Sequence, residues 1–282
     1  MSKVDLHIHS TTSDGQLTPA DIIQEAAERG LTFIALADHD TVDGIASAQA
    51  AAQAFPGLKV IPCVEISTDT PQGEVHILGY FIDYTDHELK AALDSFRNSR
   101  LGRAQGMVAK LENLGIHIDW QRVQQLAGGS SIGRPHIAQA MLEKGYIASI
   151  KQAFTDYLGH DRPAYVEREK MTPAEAVELI LKAKGLPVLA HPLTFNDPEA
   201  MIAELKAAGL VGIEAYYNGY TAEEINRLVG LADRHNLIAT GGSDYHGLDP
   251  TTETTNGGAD VPMESVERLI ALAKQRNPNL RL

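Results

Sequence analysis

The chain has 282 residues, which is enough for one large α/β domain or for one domain that carries a smaller insert. It has 24 Lys and Arg against 37 Asp and Glu, and the formal net charge of −13 argues against a protein that coats nucleic acid through bulk electrostatic attraction. No apolar run approaches the roughly 20 residues of a membrane helix and no secretory signal is visible, so we expect a soluble cytoplasmic protein without a membrane partner.

Short apolar runs along the chain are predicted to form strands, and most of them are separated by stretches with helical periodicity. Repeated alternation of strand and helix is typical of a parallel α/β sheet or barrel. The predicted strands are Val4–Ile8, Phe33–Ala37, Lys59–Ile66, Val75–Phe81, Pro187–Ala190, Gly212–Ala215 and Leu237–Thr240.

Two of the connecting helices are marked at both ends. Thr18 and Pro19 supply a cap and a first-turn proline, and the helix that they open is predicted to end at Gly30. A capping box opens a second helix at Thr172, and this helix is predicted to end at Gly185. Both helices fit crossovers between parallel strands.

The middle of the chain follows a different pattern. From about residue 86 to residue 161, helical patterns and turns occur without a convincing buried strand. We therefore expect a barrel domain formed by 1–98 and 162–282, with a helical insert domain at 99–161. The polar segment 251–260 is predicted to be a loop.

Polar residues cluster at or just after the carboxyl ends of five predicted strands. In parallel barrels these ends meet at one mouth, so the residues are expected to lie close together. The first strand also places Asp5, His7 and His9 on one face, which is an unusual face to bury. The stretches contribute His7, His9 and Asp14, then Asp38, His39 and Asp40, then Glu65, then His191, and finally Asp244 and His246.

Taken singly, several of these residues have ordinary explanations. His191 precedes a proline, where a turn or core histidine is common, and Asp38 and Asp40 suit helix caps or groups that orient ligand histidines. Glu65 lies in an apolar strand, where an unpaired carboxylate is costly. Together, the imidazoles and carboxylates predict bound divalent metal, and such ligands without thiolates suit Mn²⁺, Fe²⁺ or Zn²⁺.

The HxH opening, the DHD stretch, the isolated Glu65, the pair His191-Pro192 and the closing SDxH resemble the PHP (polymerase and histidinol phosphatase) family of metal-dependent phosphoesterases. The matching motifs occur in the same order as in the family and span both ends of the chain. It implies an α/β fold, a distorted (β/α)7 barrel, here with a helical insert. It also implies a metal-dependent hydrolase of phosphoric monoesters.

The segment Gly133–Ala138, GRPHIA, is similar to one branch of this family. That likeness implies a phosphatase that removes the 3′-phosphate of nucleoside 3′,5′-bisphosphates, converting adenosine 3′,5′-bisphosphate to AMP and phosphate. The alternative within the branch is a 5′–3′ exoribonuclease that acts on short 5′-phosphorylated RNA. A histidinol-phosphate phosphatase would leave GRPHIA unexplained, and a regulatory module without turnover would leave so many buried charged groups unexplained.

The family resemblance also implies two or three divalent metal ions, Mn²⁺ first with Fe²⁺, Zn²⁺ or Mg²⁺ as alternatives, and how they are held. One ion takes His7, His9, Glu65 and Asp244, a second shares Glu65 and adds His76 and His191, and a third uses Asp14, His39 and His246. The same residues without His76 are the catalytic candidates. A lone histidine on an alternating strand, such as His76, is otherwise more often structural, and Asp14 stands where other branches use histidine.

A second phosphate on the substrate needs contacts of its own. Arg134 is the principal candidate, because a guanidinium group grips phosphate through two hydrogen bonds. The further candidates for binding substrate are Thr11, Thr12, Ser13, Ser130 and His136. An ordinary helix start at Pro135 is the competing explanation for Arg134 and its neighbours. No obligate protein partner is inferred.

Overall fold

The structure is a computed structural model that describes residues 3–70, 73–127, 132–167, 171–195, 197–247, 257–278 and 280. Within these residues seven strands form one sheet whose spatial order follows the chain. The strands are β1 (Val4–Ile8), β2 (Phe33–Leu36), β3 (Lys59–Thr70), β4 (Gly73–Tyr80), β5 (Leu186–Leu189), β6 (Gly212–Tyr217) and β7 (Ile238–Gly242). Each predicted strand is therefore present, with ends that shift by a few residues.

The sheet is parallel except around β4, which runs antiparallel to both β3 and β5. The parallel arrangement predicted from strand–helix alternation does not hold at this strand, because β3 and β4 are joined only by residues 71–72. Such a short connection makes a hairpin, whereas a parallel crossover needs a dozen residues or more. The two long strands of this hairpin carry Glu65 and His76.

The sheet nearly closes into a barrel through the segment that follows β7. The backbone N–H of His9 donates to the carbonyl of Tyr245 at 2.9 Å, and the N–H of Asp244 donates to the carbonyl of His7 at 2.9 Å. These bonds bring the two ends of the chain together at one rim of the barrel. The predicted distorted (β/α)7 barrel is confirmed.

Ten α-helices are present in the described part of the chain. They are α1 (Pro19–Glu28), α2 (Ile45–Ala52), α3 (His87–Asn113), α4 (Trp120–Leu126), α5 (Arg134–Glu143), α6 (Ile150–Ala153), α7 (Pro173–Lys182), α8 (Pro198–Ala208), α9 (Ala222–Arg234) and α10 (Met263–Arg276). A π-helical turn covers Phe154–Leu158, and a 3₁₀ turn covers Pro192–Thr194. None of the described helices is long and apolar enough to cross a membrane. The cytoplasmic location stays a prediction.

The chain divides into two compact units. The barrel unit comprises Met1–Ala92 and Met171–Leu282, and the helical unit comprises Leu93–Lys170. The division between 98 and 99 and between 161 and 162, which the sequence suggested for a barrel domain and an insert domain, stays a proposal. Leu93 lies within α3, so this helix carries the change from one unit to the other.

Each unit has an apolar core of its own. In the barrel unit Leu6, Ile61 and Tyr80 are fully buried in one cluster, while Ile8 and Ile34 belong to a second cluster with residues of α1. The helical unit buries a separate cluster that includes Met107, Leu111, Val123, Ile137 and Met141. Strand β1 is buried on both faces, as expected for a barrel strand that helices cover. Its face with Asp5 and His7 therefore needs partners inside the protein.

Candidate metal centre

All nine predicted metal ligands lie in described residues of the barrel unit, and the structure brings them together. His7, Glu65 and His76 lie in β1, β3 and β4, and the other six follow the ends of β1, β2, β5 and β7. Three groups of side chains have ligand atoms close enough to share an ion. The groups are His7, His9, Glu65 and Asp244; His9, Asp14, His39 and His246; and His39, Glu65 and His76. The nine residues are called the metal centre below.

Glu65 is the carboxylate that the first and third of these groups share. Its Oε2 lies 3.3 Å from Nε2 of both His7 and His9, and 3.0 Å from Nδ1 of His39. Its Oε1 lies 2.9 Å from Nδ1 of His76 and 3.0 Å from Nε2 of His191. The side chain is 1% exposed, so five imidazoles surround one buried carboxylate. The structure thus brings His191 to Glu65 together with His76.

Strand pairing explains why these side chains meet. In the β3–β4 hairpin Glu65 lies opposite Leu78, and His76 is two residues from Leu78, so Glu65 and His76 are diagonal neighbours on one face. On the other side of β3 the parallel ladder continues past the end of β2 and pairs His39 with Glu65. The bonds that extend it run from Asp40 N–H to the Glu65 carbonyl and from Glu65 N–H to the Asp38 carbonyl.

The first group has the features of a cation site. Asp244 Oδ1 lies 3.3 Å from Nε2 of His7 and 3.0 Å from Nε2 of His9. Nε2 of His7, Nε2 of His9 and Oε2 of Glu65 are buried and make no hydrogen bond in the described part of the chain. Buried imidazole nitrogens and carboxylate oxygens that converge without hydrogen bonds suit a metal ion, because each of these atoms supplies a lone pair to it. The donors fit the predicted divalent ion.

The second group is built around Asp14, which is about a third exposed. Its carboxylate oxygens lie 3.4 Å from Nε2 of His246, 3.7 Å from Nε2 of His39 and 3.7 Å from Nδ1 of His9. The trio of Asp14, His39 and His246 is the one that the sequence suggested for the third ion, with His9 added. Its wider spacing and greater exposure distinguish it from the buried first group.

The charges of the metal centre are strongly coupled. Burial lowers the pKa of His7, but the carboxylates of Glu214, Asp244 and Glu65 outweigh that effect and hold it well above its ordinary value. For His9, burial also lowers the pKa, yet Asp244 and Glu65 raise it to about 10. Conversely, burial raises the pKa of Glu65, and the imidazoles of His39, His7 and His76 more than reverse this and hold it well below normal. Basic nitrogens and acidic oxygens therefore face one another at close range.

Comparison with known proteins identifies what kind of centre this is. Residues 5–186 match the PHP domain. The chain belongs to the PHP family. It is therefore a hydrolase of phosphate esters, and the resemblance based on its motifs is confirmed.

The similar proteins cover nearly the whole chain. The chain is 36% identical over 266 residues to the 3′,5′-nucleoside bisphosphate phosphatase of Chromobacterium violaceum, covering 93% of this chain and 91% of the relative. It is 36% identical over 248 residues to the 5′-3′ exoribonuclease of Haemophilus influenzae, covering 86% and 90% respectively. The crystal structure of a candidate metal-dependent phosphoesterase from Bifidobacterium adolescentis is similar with a TM-score of 0.81 and 29% identity, covering 95% of both chains.

Two residues of the metal centre and one beside it adopt backbone conformations that residues other than glycine rarely adopt. Asp40, His191 and Asp244 have φ angles of 51°, 27° and 53°. A positive φ is costly for residues other than glycine, and such residues collect at functional sites where the surroundings hold them in place. His191 and Asp244 each follow the carboxyl end of a strand and turn their side chains to the metal centre.

Two neighbouring glycines let β7 approach the rest of the site. A Cβ at Gly242 would overlap the backbone N and the Cβ of His7. A Cβ at Gly241 would overlap the carbonyl oxygen and Cβ of Tyr216 in β6. Glycine inside a strand often marks such a close approach of two backbones. The sequence GGSDYH therefore contains the two glycines that allow this close approach and, directly after them, the predicted ligands Asp244 and His246.

Three residues that support the metal centre were given no role from the sequence. Glu214 in β6 accepts hydrogen bonds from Nδ1 of His7 at 3.0 Å and from the backbone N–H of His191 at 2.8 Å. Asp5 accepts from the N–H and hydroxyl of Ser243, and Tyr217 donates its hydroxyl to Asp244 at 2.7 Å. A signal existed for Glu214, because it is a carboxylate in an apolar strand, as Glu65 is. Nothing in the sequence distinguishes Tyr217.

Asp38 and Asp40 accept hydrogen bonds from segments that adjoin the metal centre. The carboxylate of Asp38 accepts from the N–H and hydroxyl of Ser10 and from the hydroxyl of Ser13, at 2.7 to 2.8 Å. Asp40 accepts from the backbone N–H of Ser67 at 2.8 Å. These bonds fix the loop after β1 and the end of β3. A role of the two carboxylates in orienting ligand histidines stays a prediction.

The predicted substrate contacts fall in different surroundings. Thr11 is exposed and Thr12 is half-buried, whereas Ser13 is buried and uses its hydroxyl on Asp38. In the helical unit Arg134 begins α5 and lies with its guanidinium 5.5 Å from the centre of the Phe154 ring. Nδ1 of His136 accepts from the N–H of Gly133 at 3.0 Å. Ser130 lies outside the described residues.

Proposed function

We propose that the protein is a phosphatase that removes the 3′-phosphate from nucleoside 3′,5′-bisphosphates, converting adenosine 3′,5′-bisphosphate to AMP and phosphate. The observation that carries the proposal is the 36% identity to a phosphatase of that name over 93% of this chain. The grouped ligand atoms of the metal centre support the proposal. Hydrolysis of a phosphate ester needs stabilisation of the charge that develops in the transition state, and cations held by these atoms would supply it.

The proposal includes three divalent ions, with Mn²⁺ as the first choice. The first is assigned to His7, His9, Glu65 and Asp244, the second to Glu65, His76 and His191, and the third to Asp14, His39 and His246. Nitrogen and oxygen donors without thiolate suit Mn²⁺, Fe²⁺ and Zn²⁺. When bound, such ions supply Lewis acidity towards the phosphoryl group.

The side chains themselves provide position and charge. Glu65 presents one oxygen to His7, His9 and His39 and the other to His76 and His191, so it holds two neighbouring parts of the site at a fixed separation. Rigid strands carry His7, Glu65 and His76, and such elements hold a reacting group more accurately than a mobile loop does. This arrangement favours a reaction in which several charges must be stabilised together.

The second phosphate of the substrate is assigned to the helical unit. Arg134 and His136 lie in the first turn of α5, where backbone N–H groups also favour an anion. Because Nδ1 of His136 accepts a hydrogen bond, the proton of the neutral ring is on Nε2, where it can be donated to phosphate. Thr11 and Thr12 remain proposed contacts near the metal centre, while Ser13 is assigned to supporting Asp38.

The rival function is removal of nucleotides from the 5′ end of short RNA. It has its own support, because the exoribonuclease of Haemophilus influenzae is also 36% identical over 86% of this chain. In that reaction the same centre would cleave a phosphodiester, and Arg134 would hold the 5′-phosphate of the RNA. The two functions therefore differ in substrate length rather than in the metal centre.

A comparison of products tests the proposal. Purified protein with Mn²⁺ is given adenosine 3′,5′-bisphosphate, AMP or a 5′-phosphorylated oligoribonucleotide, and released phosphate and nucleotides are quantified. We expect phosphate and AMP from the bisphosphate, with AMP itself left intact. A higher kcat/KM on the oligoribonucleotide, with mononucleotides released from its 5′ end, would replace the phosphatase with the exoribonuclease.

A further inference from the structure

One buried carboxylate outside the metal centre contacts two of its members. Glu214 in β6 is fully buried, and its two oxygens have separate partners. Oε1 lies 3.0 Å from Nδ1 of His7, and Oε2 accepts the backbone N–H of His191 at 2.8 Å. His7 and His191 belong to ligand sets proposed for different ions, so Glu214 connects the two sets.

The contact with His7 determines which ring nitrogen faces the site. A carboxylate can only accept, so the bond requires a proton on Nδ1 of His7. In the neutral ring Nε2 then has the free lone pair, and this is the atom that lies 3.3 Å from Glu65 and from Asp244. Carboxylate partners fix ligand histidines in this way in many metal sites. Glu214 thus prepares Nε2 of His7 for a cation.

The contact with His191 acts on the backbone instead. His191 has a φ of 27°, a conformation that non-glycine residues rarely adopt. Its N–H is held by Oε2 of Glu214, and this bond helps to keep the residue in that conformation. The imidazole then lies with Nε2 3.0 Å from Oε1 of Glu65. A change at Glu214 would therefore release the turn that aims His191.

The shape of β6 explains why Glu214 and Tyr217 both face the metal centre. Pairing between β6 and β7 shifts register between Glu214 and Tyr216, which marks a bulge. Bulges redirect side chains, and next to a functional site they alter which residues share a face. Here Glu214 contacts His7 while Tyr217, three positions later, contacts Asp244. Without an extra residue, strand alternation would put these two side chains on opposite faces.

We infer that Glu214 is a positioning residue that couples two metal ions of the centre, by fixing the ring of His7 and the backbone of His191. The inference rests on the proposed metal centre. It differs from the role of Asp5 or Asp38, whose carboxylates hold serine hydroxyls and backbone N–H groups. Removing Glu214 is expected to weaken two ions at once, although it is a ligand of neither.

The test measures Mn²⁺ binding to metal-free protein by calorimetry and by metal analysis after equilibrium dialysis. For Glu214→Ala we expect about 10- to 100-fold weaker binding at two of the three sites, the range seen when such a supporting partner is removed. Glu214→Gln keeps the volume but replaces one oxygen by a donor group, so it can satisfy only one of its two partners. The Mn²⁺ affinity of Glu214→Gln should lie between the affinities of the wild type and Glu214→Ala.

Two controls separate positioning from general destabilisation. Thr240→Val removes a buried hydroxyl from neighbouring β7 and should lower the melting temperature without changing Mn²⁺ affinity. His246→Ala should weaken the third site and leave the other two. If Glu214→Ala is insoluble, Glu214→Gln carries the test, because it preserves the size of the side chain.

The outcomes distinguish the inference from the proposed function. Wild-type protein that binds Mn²⁺, together with a Glu214→Ala variant whose three affinities stay within twofold of it, overturns the inference and leaves the phosphatase intact. The same holds if Glu214 variants melt at lower temperature but bind Mn²⁺ normally, or if only one site weakens. Wild-type protein that binds no divalent metal would instead overturn the proposed function.

Discussion

The rim of the barrel unit and the helical unit carry their chemistry in different ways. At the rim, side chains from six strands or their following loops converge, and they come from residues as distant as His7 and His246. In the helical unit the candidate groups, Arg134 and His136, lie within one turn of α5. The rim therefore depends on the whole barrel being folded, whereas the helical contribution depends on a short segment.

This difference separates two parts of the function. The metal centre accounts for hydrolysis of a phosphate ester, and relatives named as phosphatase and as exoribonuclease both match most of the chain. The choice between their substrates must then depend on groups outside the centre. Changes at the rim should abolish hydrolysis of every substrate, while changes at Arg134 should impair only substrates that carry a second phosphate.

The largest effect is expected from Glu65→Gln. Five imidazole nitrogens lie within 3.3 Å of this carboxylate, and Gln offers one oxygen in place of two. Removing a supporting partner alone costs about 10- to 100-fold, so kcat/KM should fall by more than about 100-fold here. Steady-state assays on adenosine 3′,5′-bisphosphate and on an aryl phosphate provide the measurement. A variant that keeps a tenth of wild-type activity on either substrate would contradict the central position of Glu65.

A smaller loss is expected from Gly242→Ala, which tests whether the rim depends on backbone packing. The added methyl group would overlap His7, and overpacking of this kind costs about 1–3 kcal/mol. Both the free energy of unfolding and Mn²⁺ affinity should decrease. The control is Gly230→Ala in α9, where the nearest atom to a new Cβ is the end of the Arg234 side chain at 3.9 Å. Equal effects at the two glycines would mean that the contact with His7 is unimportant.

The strands and most of the ligands could be predicted because their signals are local. β1 matches its predicted bounds, since Val4, Leu6 and Ile8 alternate with polar residues. His7, His9 and Glu65 stand out because they interrupt apolar strands. The antiparallel direction of β4 was missed, although the length of the link at 71–72 determines it. Underestimating the length of β3 by four residues hid the hairpin.

Other parts of the site could not be predicted because they depend on distant pairing. His76 reaches Glu65 only through the register of the hairpin, and the sequence suggested it only by family resemblance. The contact of Tyr217 with Asp244 follows from a bulge in β6, which leaves no mark that can be recognised in the sequence. The close approach of Gly242 to His7 joins residues from the two ends of the chain.

Arg134→Ala tests the contribution of the helical unit to recognition of the second phosphate. A charge-assisted bond to phosphate contributes about 1.5–3 kcal/mol, so KM for the 3′,5′-bisphosphate should rise about 10- to 100-fold. Activity on an aryl phosphate, which has no second phosphate, should change little. Arg122→Ala is the matched control, because this exposed arginine of the same unit pairs with Glu143 instead. Equal losses on both substrates would remove Arg134 from substrate recognition.

A gradual effect, at most about tenfold for each pH unit and proton displaced, is expected in the pH dependence of metal binding, which belongs to the rim alone. Burial lowers the pKa of His9, but Asp244 and Glu65 raise it to about 10 in the metal-free protein, so the ring is protonated at neutral pH. A metal ion needs the neutral ring and must displace that proton, so affinity should increase with pH, by up to about tenfold per unit for each proton displaced. Calorimetry in buffers of different ionisation enthalpy counts the protons. Constant Mn²⁺ affinity between about pH 6 and pH 9, with no proton release, would show that His9 is already neutral when the ion binds.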